Sequence, residues 1–419
     1  MRIIIIGAGV VGLASAYWLA RDGHDVTVLE RETAVGRGAS YANGAQLSYS
    51  YVAPMAAPSV LRSLPKWLLG RENPVRFMPR ADPAQWRWIF AFLRACNADR
   101  AALTTAQLLA LSFHSRDSLH AMQRDIALEF QHARNGKLVL HSSRAGLDEA
   151  ALQVKLQATL GCEQQVLTAA ECLALEPGLQ SIAHRLVGGV HTPSEEVGDC
   201  RMLCESLHRV LAAEPMGVTF RLGCEVRGFE LEGRRVRALR TAQGPIDADL
   251  YVLTAGAWSG KLAHEAGVRV AVQPVRGYSI TARVRGGNCA PVRSITDSSH
   301  KIVYAPLGGT LRVAGFAELG VGYSAERITS LVRELDAVFP GVCDVEDVAP
   351  WSGLRPLTPT GLPLIGPTRI ENLCVNVGQG ALGFTLAAGS GRVLADIVAG
   401  RTPVIRAEAY FPNITGALE

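Results

Sequence analysis

The chain begins with a strand, a glycine turn, a helix and a second strand, and no other stretch constrains its fold as much. Ile3 to Ile6 is a β-branched run with no polar residue, which suits a strand buried on both faces of a parallel sheet. Gly7, Gly9 and Gly12 follow at G-x-G-x-x-G spacing. A helical stretch, a break at Gly23, an apolar run from Asp25 to Leu29 and then Glu30 complete the unit, with the acid 18 residues past Gly12. A lone glycine pattern is weak evidence, but here it has the strand before it and the helix after it.

The turn has a specific mechanics. Gly7 lets the chain leave the strand tightly, Gly9 lets a pyrophosphate approach the backbone, and Gly12 lets helix and strand pack closely. The helix start at Val10 and Val11 offers N–H groups and partial positive charge to phosphates. Glu30, followed by Arg31, can accept hydrogen bonds from a ribose and would repel a 2′-phosphate. The ligand is therefore NAD- or FAD-like rather than NADP.

Arg2 followed by about eighteen mostly apolar residues could also suggest a signal peptide or a membrane span. Three glycines within six residues, with Arg21 and Asp22 just beyond, fit neither. The start is read as cytoplasmic, without export.

At 419 residues the chain exceeds one ordinary core, so two domains are expected. A net charge of +4 and the lack of a basic run with interleaved aromatics give no footprint for nucleic acid. Nine scattered cysteines with no C-x-x-C pair fit buried thiols in a reducing compartment. Cys200, Cys204 and His208 share metal-ligand spacing but read better as a core-facing helical stripe, and no metal site is expected.

Residues 36–48 form a polar, small-residue loop that could lie against a cofactor or on the surface. Residues 54–95 are broken by prolines and crowded with Trp67, Trp86, Trp88, Phe90 and Phe92 among Arg62, Lys66, Arg87 and Arg94. They could meet a membrane surface or pack between domains. Further along, helices are expected over 101–132, 148–160, 169–175 and 201–213. Strands are expected over 137–141, 218–222, 225–230, 235–241 and 250–254. An antiparallel section follows over 270–349, with runs at 278–284, 300–305 and 310–314.

Two late segments favour FAD over NAD. Leu250 to Ser259 is a buried strand ending in small residues, where Ala255 and Gly256 let a ligand or the first glycine turn lie close. Leu373 to Val377 reads as a strand, Gly378, Gly380 and Gly383 as a turn, and the stretch to about Val398 as a helix. A second helix start in the crevice has no evident use for NAD. It could stabilise negative charge on a reduced flavin.

These segments resemble the D-amino acid oxidase superfamily of flavoenzymes, and within it the bacterial D-amino acid dehydrogenases of small-subunit type. The likeness runs nearly end to end. It is carried by IIGAGVVGLASAYWLARDGHDVTVLER, SYANGAQLS, YVAP, GDCRMLCESL, PVRGYSIT, WSGLRPLTPTGLPLIGPT and NVGQGALGFTLAAGSGRVLADIVAGRTP. The resemblance implies non-covalent FAD, oxidation of a D-amino acid to an imino acid, and electrons passed to a respiratory carrier, a quinone or an electron-transfer protein. It implies cofactor contacts from Gly7, Gly9, Val10, Val11, Gly12, Glu30 and Arg31, and from Ser40, Asn43, Gly44 and Gln46. Further contacts are implied at Val226, Ala255, Gly256, Trp258 and Gly353, and at Gly378, Gln379, Gly380, Ala381, Leu382, Gly383, Phe384 and Thr385. The chain departs from the family pattern at Gln379, where relatives often have histidine, and at Thr360, where they tend to have an acid. The cysteine that some relatives bond to flavin near the 351–355 stretch is lacking.

The chemistry asks for placement more than for acid–base groups, because flavin carries the hydride step. The substrate carboxylate needs a partner, and Arg355 in Gly-Leu-Arg-Pro is the first choice, since a guanidinium grips a carboxylate at two points. Tyr278 and Tyr304 are candidates for a hydroxyl contact, with Tyr51 and His300 behind them. The expected fold is α/β with an α+β second domain. A Rossmann-like FAD domain would span 1–55, 146–268 and 350–419, and a substrate domain with a mixed or antiparallel sheet 56–145 and 269–349. The function expected is oxidative deamination of D-amino acids, D-proline or D-hydroxyproline among the options. Rivals are an oxygen-using oxidase of glycine or sarcosine and a non-catalytic flavin-bound subunit. The expected location is the cytoplasm, with peripheral contact at the inner face of the cell membrane an option.

Overall fold

The computed structural model describes residues 1–70, 73–285 and 290–412, without the side chains of 62, 63, 66, 68 and 69. Six of its strands build one sheet in the order Leu364–Pro367, Leu373–Val377, Leu250–Leu253, Arg2–Ile6, Asp25–Glu30, Thr219–Leu222. All neighbours are parallel except the first pair. Ile3 and Ile5 bury into one face and Ile4 and Ile6 into the other, so the opening run has no polar side because it has no wet side. One face is covered by the helices Val10–Arg21, Ala98–Asp125 and Gly383–Val398. The other meets the three-stranded meander of Val226–Glu232, Arg235–Thr241 and Gly244–Ile246.

The two helices that start at the glycine turns lie directly against each other. A Cβ on Gly391 would come within 2.8 Å of Ala14, while one on Gly389 would come within 2.7 Å of Ser115 in the neighbouring helix Ala98–Asp125. Trp18 Nε1 donates to the Ala388 carbonyl at 3.0 Å. Small residues therefore fix the spacing of the two helix N-termini, which sets the distance between the two polar ends of any ligand they share.

A second sheet of nine strands holds Cys343–Leu357, Gln273–Val284, Thr310–Leu319, Ile302–Leu307, Ser294–Asp297, Lys137–His141, Gly188–Thr192 and Gln165–Thr168 in that order, with Val75–Phe77 beside Thr310–Leu319. It is mixed: Ser294–Asp297 runs parallel to Lys137–His141 and most other pairs are antiparallel. The helix Ala325–Val338 covers one face.

This sheet corrects the expected division of the chain. Residues 165–192 fall within the expected FAD domain (146–268), yet Gly188–Thr192 pairs with Lys137–His141 and Gln165–Thr168 pairs in turn with Gly188–Thr192. The strand ending at Leu357 likewise crosses the expected boundary at 350. Non-local pairing decides both cases, and composition does not reveal it. The helix expected over 101–132 runs Ala98–Asp125, with Asn97 Oδ1 capping the Arg100 amide. Cys200 and Cys204 are buried, Cys204 against the loop at Gly36, and His208 packs edge-on to Phe220, as a core stripe should.

Within residues 54–95 the helix Pro83–Ala95 has one face buried and one exposed. Trp88 and Phe92 stack at 5.2 Å inside, and Trp88 Nε1 donates to the Leu357 carbonyl. Trp86 and Phe90 stand outside, 41% and 62% exposed, with Arg87 and Arg94 exposed beside them. The Arg62 and Lys66 side chains lie outside the described residues.

Candidate active site

A cavity of ≈ 1590 Å³ runs from the first glycine turn to the second and opens onto one face of the nine-stranded sheet. That exceeds the ~300–1,000 Å³ of an ordinary small-molecule pocket. At its first end Gly7 has φ +112, and a Cβ there would sit 2.8 Å from the Thr254 carbonyl. Gly12 rests on the Gly7 carbonyl, where a Cβ would be only 2.0 Å away. Gly12 therefore packs helix on strand and does not border the cavity. Gly9 does border it, and a Cβ there would have only Ser40 Oγ nearby at 3.6 Å, so its side-chain space belongs to a ligand. Ser40 Oγ accepts from the Val10 amide at 3.1 Å. Glu30 accepts from the Ala8 amide (2.7 Å) and the Glu32 amide (3.0 Å), which ties its carboxylate across the turn while it still borders the cavity. Val11, Val226, Ala255, Gly256 and an Arg31–Trp258 stack, 4.6 Å from guanidinium to ring, close this end.

At the far end Gly378 (φ +85) makes the turn itself, facing Thr358, and does not border the cavity. Gln379, Gly380, Ala381, Leu382, Gly383, Phe384 and Thr385 do. Gln379 is buried, and its Nε2 donates to Asn376 Oδ1 (2.7 Å), whose Nδ2 donates to Ser15 Oγ (3.0 Å) in the first helix. The loop from Asn43 to Ser48 faces this end. Asn43 Oδ1 accepts from the Ala45 amide, Gly44 abuts Val303, and Gln46 Nε2 donates to Ser294 Oγ at 2.6 Å. Asn43, Gly44, Gln46 and Gly353 all border the cavity. The loop is held from behind by buried Glu195, which accepts from the Tyr49 and Ser50 amides at 2.9 and 2.7 Å.

Arg355 borders the cavity at this end. Its Nη1 donates to the Phe316 carbonyl at 2.7 Å, and burial pushes the guanidinium down to about 10. Its head lies flat over Gly277, where a Cβ would come within 2.3 Å of Nη1. Phe316 sits at φ +64, a strained position for a side chain of its size, beside an irregularity in the strand pairing. Among the described residues no carboxylate forms an ion pair with Arg355, whereas buried Arg312 and Arg327 pair with Asp199 and Glu318 at 2.9 and 2.8 Å.

The two tyrosines do not join Arg355. The Tyr278 hydroxyl lies 3.0 Å from Glu318 Oε2 and accepts from the Ser324 amide; burial and Glu318 push it up to about 12. Although Tyr278 touches the cavity wall, its hydroxyl serves the far face. Tyr304 is fully buried against Phe339 and does not border the cavity. Both occupy the core under the Ala325–Val338 helix, because alternation along each strand puts them on the covered face. His300 pairs with Asp297 at 2.8 Å and also lies outside the cavity wall, while Tyr51 borders it.

Two residues that the sequence reading passed over are present. Arg276 borders the cavity, with Nη1 donating to Ser352 Oγ at 3.1 Å. Lys137 borders it too, 1% exposed. A lysine opening the run KLVLH directly after a glycine was the available signal, and it reads like an ordinary wet strand end.

The residues fit FAD: an anion-ready turn at each end, an acid for a ribose at one end, and an elongated space between them. A family model described as FAD dependent oxidoreductase matches residues 2–397. D-amino acid dehydrogenase 2 of Ralstonia nicotianae is 47% identical over 425 residues, covering 98% of this chain and 99% of its own length. The D-amino acid dehydrogenase of Bradyrhizobium diazoefficiens is 37% identical, covering 98% and 97%. The crystal structure of glycine oxidase from Geobacillus kaustophilus superposes with a TM-score of 0.78 at 21% identity, covering 100% of both chains, a likeness of fold.

Proposed function

The chain belongs to the FAD dependent oxidoreductases of the D-amino acid oxidase family, and on that premise we propose that it oxidises D-amino acids to imino acids. Water then yields the 2-oxo acid and ammonia, and the electrons leave to a respiratory acceptor, a quinone or an electron-transfer protein. The observation that carries the substrate assignment is the Arg355 guanidinium, bordering the cavity and lacking a carboxylate partner among the described residues. A substrate carboxylate would complete it, as Asp199 completes Arg312.

Bound FAD supplies the hydride acceptor. The chain's own work is placement. The glycine turn and Glu30 would hold the dinucleotide end, the helix starting at Gly383 would offer its N-terminus at the other, and Arg355, itself held by the Phe316 carbonyl, would fix the substrate's acid group. Trp351, Leu354 and Leu357 wall the space around it and keep water out.

The test is anaerobic mixing of the holoenzyme with a panel of D- and L-amino acids, glycine and sarcosine, followed by flavin absorbance. D-amino acids, proline types included, should bleach the flavin. Reduction by sarcosine or an L-substrate alone would refute the assignment. Reoxidation should need a dye or quinone, and fast turnover on oxygen alone would favour an oxidase.

We place the enzyme in the cytoplasm, touching the inner face of the cell membrane. The exposed Trp86–Phe90 pair with Arg87 and Arg94 on the helix Pro83–Ala95 supports this, since aromatics with arginines suit an anionic lipid surface. Co-sedimentation with anionic vesicles should be lost in W86S/F90S, and unchanged binding would remove this helix from the contact.

A further inference from the structure

We propose that Lys137 is an electrostatic positioning residue for the bound flavin, a fixed positive charge in the cavity wall that raises the cofactor's affinity for electrons. This rests on the FAD reading above but not on which amine is oxidised.

The geometry is specific. Lys137 begins the strand Lys137–His141, and Leu138 and Leu140 point into the covered core of the nine-stranded sheet. Alternation turns Lys137 to the cavity side. Its Nζ donates to Gln46 Oε1 and to Ser48 Oγ, both at 2.9 Å, and lies 4.3 Å from the centre of the Tyr51 ring. Ser48 in turn donates its amide to Thr385 Oγ1 at 3.0 Å. Thr385 stands in the first turn of the helix Gly383–Val398. The ammonium is therefore two hydrogen bonds from the helix start at the flavin end, and Lys137, Gln46, Ser48 and Tyr51 all border the cavity.

A lysine this deeply buried is costly unless its charge is used. Among the described residues it forms no direct ion pair within 4.0 Å. Glu195 acts on it from beyond Ser48. Burial pushes the ammonium down to about 8, and the Glu195 carboxylate favours its charged form. Two neutral acceptors and a ring face fix its position at the cavity wall, and Glu195 offsets part of its charge from the far side of Ser48. A reduced flavin carries more negative charge than an oxidised one, so a nearby fixed cation favours reduction.

The test uses the holoenzyme and two readouts at pH 7 that need no substrate. One is the flavin midpoint potential against reference dyes. The other is titration with sulfite, whose sulfur lone pair bonds to flavin N5 while an electron pair moves into the ring as negative charge; no proton or leaving group departs. Lys137→Gln should bind sulfite at least ~10-fold more weakly and show a more negative potential, while Lys137→Arg stays within about threefold of the parent. An unchanged sulfite constant and potential in Lys137→Gln would overturn the proposal. Loss of FAD from Lys137→Gln with retention by Lys137→Arg would also overturn it, because the residue would then be a clamp on the cofactor. A protein that ignores D-amino acids would still answer both readouts, so failure of the substrate assignment stays separate.

Discussion

The two faces of the nine-stranded sheet are built from the same strands and do opposite work. On the face under the Ala325–Val338 helix, Tyr278, Ile280, Tyr304 and Val313 pack solid, and the buried charge Arg327 meets Glu318 at 2.8 Å. On the other face, one residue along each strand, stand Gly277, Val303 and Ala314, all bordering the cavity, and there Arg355 meets, among the described residues, a carbonyl and no carboxylate. A buried cation with its own carboxylate is structure. One without it, beside a cavity, is a socket for a ligand's acid. The size of neighbouring residues marks the difference: Gly277 leaves the space that the Arg355 guanidinium occupies.

Substitutions on the two faces should therefore fail differently. The largest effect expected is on the covered face. Arg327→Met takes away the nearest cation of Glu318, leaving it Arg76 at 3.7 Å and the Tyr278 hydroxyl, and should cost about 3 kcal/mol of stability in urea unfolding, with kcat/KM of the surviving folded protein near normal. A large loss of kcat/KM without loss of stability would break the contrast. On the open face Arg355→Met should do the reverse. It should lose roughly 100-fold in kcat/KM, about 3 kcal/mol, while stability holds or rises because an unpaired guanidinium is no longer buried. Gly277→Ala puts a methyl 2.3 Å from Arg355 Nη1 and should raise KM by roughly tenfold with little effect on folding. Smallest is Tyr304→Phe. Its hydroxyl has no hydrogen-bond partner among the described residues, so removal should change stability by less than ~1 kcal/mol and leave kcat untouched. A drop in kcat there would bring Tyr304 back into the site.

What could be read from the amino-acid order follows the same divide. Both glycine turns were legible because their determinants are local. Gly7, Gly9 and Gly12 act within six residues, and the helix they start is the one expected. Arg355 was legible from chemistry and family likeness together. The roles of Tyr278 and Tyr304 were not, since alternation along a strand shows two faces without saying which one a distant helix will cover. A glycine at 277 next to a tyrosine at 278 was the clue: the face kept small is the face kept open. The placement of 165–192 in the second sheet depends on pairing with residues some fifty positions earlier, and no local pattern encodes it. Lys137 was hidden because lysine at a strand start is ordinarily wet. Only the folded chain shows Gln46 and Ser48 closing over it.

The most direct test of the account is the dependence of flavin reduction on the substrate's carboxylate. The parent enzyme and Arg355→Met would each be mixed anaerobically with a D-amino acid and with the matching D-amino acid amide, which keeps the amine and the side chain but lacks the negative charge. The account predicts that the parent reduces its flavin far faster with the acid than with the amide, and that this preference collapses in Arg355→Met. A preference that survives the substitution would show that the carboxylate is held elsewhere and would contradict the assignment of the open face.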